Sequence, residues 1–230
     1  MTASRASLAA LLLLGGCAAT PPAPPALPNT GTMTDPVQLA AAVQTDAAQS
    51  EETHDSARRV ALADAARRDA EACMSAAPQL AGCNYARALA LGLVARAYPA
   101  SANTSLKDML ASLARAEHID ANYDAAGPAR VRALVLARAP GWPLGPGDPD
   151  EAGEAAQRAV ALHPEYPPNW LALAETQHRS GDAGKMAAAK VSYAHARDAA
   201  LALPESPQRT QWLSAARAGL TDQTTREPTR

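Results

Sequence analysis

The chain has no phenylalanine, and aromatic residues make up only 3% of it. A core without large rings must be filled by small and aliphatic side chains, and alanine is abundant here. Alanine has the best helix propensity and β-branched residues are few, so the composition predicts an all-α fold. Charge of one sign is missing as well: 21 Lys and Arg stand against 23 Asp and Glu, a formal net charge of −2. That balance excludes nucleic acid or an anionic membrane surface as the main partner. No G-x-S-x-G, H-E-x-x-H, phosphate-binding loop or G-x-G-x-x-G occurs. The five histidines are scattered. The expectation is therefore no catalytic residue, no metal site and no cofactor.

What is present begins at the amino terminus. Arg5 precedes the apolar run Leu8–Leu14, which is far shorter than the ~20 residues that span a bilayer. Leu14-Gly15-Gly16-Cys17 follows. An aliphatic residue, two small residues and a cysteine fit the lipobox of bacterial lipoproteins. Small residues let a signal peptidase bind extended backbone, and the thiol carries the lipid. Residues 1–16 are expected to be a removed leader and Cys17 the lipid-attachment site. Loss of Arg5 with the leader would take the net charge from −2 to −3. An ordinary secretory leader or a misplaced start are the alternatives. By resemblance to lipoprotein sorting rules, Ala18 in place of Asp favours the outer membrane, facing the periplasm. Five prolines between Pro21 and Pro28 exclude helix and sheet interior. They predict an extended tether over residues 17–35, at ~3.1 Å per residue.

Cys73 and Cys83 are the only other cysteines. In an oxidising envelope they are expected to form a disulfide clamping one helix end to the next helix start. Metal ligation and redox chemistry are the rivals, but neither C-x-x-C nor a nearby Cys/His cluster is present.

Gly147-Asp148 and Gly181-Asp182 lie 34 residues apart. A glycine can make the left-handed turn that closes one helix, and an aspartate can cap the next. After Asp148 come Ala152, Ala159 and Pro164, the spacing of the second half of a tetratricopeptide repeat. Small residues there let two helices approach closely, and the proline ends the second. Ala116 and Ile119–Tyr123 align with Ala159 and Leu162–Tyr166 at an offset of 43, the excess lying in the loop of residues 139–147. These registers predict three imperfect hairpins over about 84–204. Helices within 36–77 and near Pro207–Leu220 cap them, giving one helical domain over 36–220 and a disordered tail over 221–230.

The lipobox, the cysteine pair, Ala126-Gly127-Pro128, Ala139-Pro140-Gly141-Trp142-Pro143, Gly147-Asp148-Pro149 and Tyr166-Pro167-Pro168-Asn169 together resemble the T component associated with TRAP-type transporters, a family of periplasmic tetratricopeptide-like lipoproteins. The resemblance covers about 84–204. It implies an accessory protein that docks a periplasmic solute-binding protein and helps pass a small hydrophobic or carboxylate ligand. A scaffold in outer-membrane or cell-wall assembly and quality control is the second reading. An unrecognised enzyme is the third.

First helices line the concave face of such arrays. The expected partner-binding residues are therefore Leu89, Leu93 and Arg96, then Arg130 and Leu134, then Leu171, Glu175 and His178. Glu175 and His178 can share one helix face, an arrangement usual on a solvated surface. Trp142 sits in a Pro/Gly-rich insertion. It either plugs the loop onto its own hairpin or presents an aromatic contact to a partner. Trp170 and Trp212 lie at core spacings.

The anchor is testable directly. In its native host the wild-type chain should incorporate radiolabelled palmitate and fractionate with membranes, and Cys17→Ser should do neither. A soluble, unlabelled wild type would overturn the assignment.

Overall fold

The computed structural model describes residues 34–222. The expected leader, Cys17, the tether up to residue 33 and the tail from residue 223 lie outside the described residues. Within them the fold is all-α and built of helical hairpins. The helices are α1 (Pro36–Glu52), α2 (Ser56–Ala76), α3 (Ala81–Ala97), α4 (Ala102–Ile119), α5 (Gly127–Arg138), α6 (Pro149–Leu162), α7 (Pro167–Arg179), α8 (Ala183–Leu201) and α9 (Pro207–Asp222), with a 3-10 turn at Pro99–Ser101 before α4.

Local chemistry starts several of these helices. The Asp35, Asp55, Asp148 and Asp182 carboxylates accept backbone N–H groups at the starts of α1, α2, α6 and α8, satisfying donors that have no partner inside the helix. Proline stands in the first turn of α1, α5, α6 and α7, where its missing N–H costs nothing. Gly181 has φ +72° and closes α7 as its place in the sequence predicts. Gly147 does something else. It has no positive φ and lies well beyond the end of α5, and an added Cβ would collide with the Ala139 carbonyl. Its lack of a side chain lets the loop fold back on its own root. The final helix also runs to Asp222, two residues past the expected boundary.

Each helix packs on its successor, and α1 also lies on α3, α5 on α7 and α7 on α9. Alanine makes the close approach possible. Ala133, Ala155 and Ala156 are fully buried with Leu173 between α5, α6 and α7, and Ala126, Ala129 and Ala159 form a second contact beside them. At the other end Leu39, Val43, Ala66 and Ala86 join the bridged Cys73 and Cys83. That bridge ties the last turn of α2 to the first turn of α3, and closing so short a loop contributes ~2–3 kcal/mol in the chain-entropy model. The Asn84 amide donates to the carbonyls of Pro78 and Leu80, both at 2.9 Å, and holds the same corner.

Between α1 and α2 two acids are buried, Asp46 and Asp69. Burial, then the Asp69 charge, pushes the Asp46 carboxyl up to about 6, against the opposing pull of Arg58 and Arg68. Raised above its ordinary value, this group disfavours the folded state once ionised. The penalty is absent below pH ~4 and complete above pH ~6, so stability falls as pH rises through that window. Asp46→Asn should therefore raise the melting temperature at pH 7.5 and leave it nearly unchanged at pH 4, as read by circular dichroism. An equal shift at both pH values would refute this account.

Candidate functional site: a groove between α1, α3 and α5

One odd-numbered pair breaks the pattern: α3 and α5 do not pack on each other as α1 and α3 or α5 and α7 do. The turn between α4 and α5 accounts for the gap. Asp124, Ala125 and Ala126 all have positive φ, at 52°, 50° and 61°. Consecutive left-handed non-glycine residues are strained by roughly 1–3 kcal/mol each and persist only where surrounding contacts hold them.

Arg130 does the holding. Its guanidinium donates to the Asp124 carboxylate at 2.7 Å, to the carbonyls of Asp124 and Ala125 at 3.2 and 3.0 Å, and to Asn169 Oδ1 at 3.1 Å. The Asn169 amide nitrogen donates in turn to the carbonyls of Ala125, Ala159 and His163. Tyr85 donates its hydroxyl to the Asp124 carboxylate at 2.9 Å. Burial pushes that hydroxyl well above its ordinary range, so it stays a donor. Gly127 is required beside it, because an added Cβ would come within 2.9 Å of the Tyr85 hydroxyl. The Tyr166 ring lies under Arg130, 5.1 Å from the guanidinium, and meets Trp212 edge-on.

The gap forms an open cavity of about 700 Å³. Its walls are apolar: Leu89 and Leu93 from α3, Met109 from α4, Val131, Leu134 and Val135 from α5, with Ala47 and Ala48 of α1 opposite. Tyr85 and Asp124 lie at one end, and Ala139 and Pro140 at the other. The charges of the lining are mixed, Arg96 and Arg138 against Glu51 and Asp124. Arg96 pairs with Glu51 at 2.7 Å, and Arg138 with Glu175 at 2.7 Å. Such a space suits an apolar chain, ring or side chain with a polar end.

The expected binding residues therefore divide. Leu89, Leu93, Arg96 and Leu134 meet in this cavity. Arg130 does not offer its charge to a partner; it is only 8% exposed and serves the joint described above. Leu171, Glu175 and His178 line no part of the cavity. Burial alone would raise the Glu175 carboxyl, but hydrogen bonds and charge from Arg138 and Arg179 hold it below the usual range, so it is committed to bridging α5 and α7. Trp142 is 90% exposed, which removes the reading in which it plugs its own hairpin. Trp170 donates to the Pro164 carbonyl at 2.7 Å and stacks on His195.

The sequence reading missed the α1 wall, because α1 was expected only to cap the array. It also missed Met109, a second-helix residue; Gly92 was the available signal, since an added Cβ there would come 3.1 Å from the Met109 methyl. Among the described residues no cluster of His, Cys, Asp and Glu could hold a metal ion, and no helix is long and apolar enough to cross a membrane.

Removing Arg130 should loosen the joint. Arg130→Ala leaves the Asp124 carboxylate with Tyr85 and the Ala125 carbonyl with Asn169, but takes the Arg130 donor from both and from the Asp124 carbonyl and the Asn169 oxygen, at a cost on the order of 3 kcal/mol. Arg130→Lys should recover little, since an ammonium lacks the planar fork. Urea unfolding of both variants checks this, and a wild-type midpoint for Arg130→Ala would sink it. No protein-family model matches this chain, and no curated protein matches it.

Proposed function

We propose that this chain is a non-catalytic accessory lipoprotein of the cell envelope, held by lipid on Cys17, whose groove between α1, α3 and α5 receives part of a protein partner. The apolar cavity of about 700 Å³ carries the reading. A space walled by Leu89, Leu93, Met109 and Leu134 gains by desolvating an apolar guest, at ~25 cal/mol per Å². The Tyr85 hydroxyl and Asp124 carboxylate at its end are engaged with each other and with Arg130, which supports binding over turnover. The resemblance to the TRAP-associated T component narrows the partner to a periplasmic solute-binding protein. The lipobox and the proline tether support a domain held at a membrane and free to reach such a partner.

Co-purification from native envelopes tests this. Wild-type protein should recover a solute-binding protein. Leu134→Gln, half-exposed in the groove wall, should lose it while melting within a few degrees of wild type. Recovery of an outer-membrane or cell-wall assembly factor instead would favour the scaffold reading. Undiminished recovery by Leu134→Gln would remove the groove as the working surface.

A further inference from the structure

The loop joining α5 to α6 leaves the cavity wall at Ala139 and Pro140. It is tied at its base: Gly147 N–H donates to the Pro140 carbonyl at 2.8 Å, and Asp148 N–H to the Leu136 carbonyl at 3.1 Å. Leu144 and Gly145 N–H both donate to the Gly141 carbonyl, closing the tip. The result is a compact knob that holds Trp142 at 90% and Leu144 at 77% exposure, two residues apart. A tryptophan buries ~150–250 Å² when it finds a partner, and such anchors concentrate binding energy.

A knob thus rises from the rim of a hole of matching chemistry. We propose that they are complementary across a two-fold axis: two copies pair face to face, each placing Trp142 and Leu144 in the other's groove between α3 and α5. A two-fold interface needs a patch that complements itself, and adjacent knob and hole supply one. Charge does not oppose it: Arg96 and Arg138 in the lining are paired within the chain with Glu51 and Glu175, and Asp150 and Glu151 beside the knob with Lys185 and Arg132. From Ala139 to Gln157 there is no Lys or Arg, so the knob offers an anionic membrane no positive charge. Two tips and the walls they cover approach the low end of a specific interface, ~1,200 Å², so the dimer is reversible. It also closes the groove, so that a guest and the second copy compete. The inference stands on the knob and the groove and does not need the envelope reading.

Cross-linking in native envelopes tests it with the full chain. Two differently tagged copies are co-expressed, one carrying only Leu134→Cys and the other only Leu144→Cys, so that Trp142 is kept in both. A short bismaleimide should join the two tags in one adduct of twice the chain's mass. Adding Trp142→Ala to the Leu144→Cys copy should lower the yield at least fivefold. Parent chains without introduced cysteines report any linkage through Cys17. Three results would each overturn the proposal: no adduct joining the two tags, an unchanged yield with Trp142→Ala, or linkage found only within one chain when both cysteines are placed together.

Discussion

Arg130 joins two segments that the chain separates. Its guanidinium grips the left-handed turn at Asp124–Ala126, meets Asn169 at the start of α7 and covers the Tyr166 ring. Backbone strain in the turn is stable only because these contacts exist together. Asn169 extends the same grip to the end of α6 through the carbonyls of Ala159 and His163. The geometry of the groove depends on this joint, because it sets where α5 leaves α4. The polar cluster is nearly closed on itself, which is what a buried charge requires to be tolerated.

Side-chain size does the rest. Where α5, α6 and α7 meet, alanines at Ala133, Ala155, Ala156 and Ala159 let backbones come close. Between α3, α4 and α5 the facing residues are Leu89, Met109, Leu134 and Val135. These are too large for the same approach and too few to fill the space once the turn has splayed the helices. The contrast gives a repetitive stack an opening between α1, α3 and α5, flanked by an exposed aromatic loop.

Much of the fold was legible because it rests on local signals. Capping aspartates, first-turn prolines and the glycine at 181 act within a few residues, so the helix boundaries follow closely. The pairing of Cys73 with Cys83 was legible from its short spacing and the lack of competing thiols. The site was legible only in part. Helical spacing placed Leu89, Leu93, Arg96 and Leu134 on one face, and the cavity does gather them. The same spacing placed Arg130 there too, although the direction of its side chain is decided by acceptors as far away as residue 169.

The sequence by itself determined the helices, their order and their hairpin pairing, since propensity, capping and short connections are local and additive. Only the tertiary structure decided where the stack opens. Three consecutive left-handed residues carry no glycine or other local mark at Asp124–Ala126, and they exist because Arg130, Asn169 and Tyr85 converge on them from three helices. It likewise decided the fate of Trp142. A tryptophan among prolines and glycines can be tucked in or held out with equal local ease, and the backbone hydrogen bonds from Gly147 to Pro140 and from Asp148 to Leu136 close the loop beneath it and leave the ring in solvent.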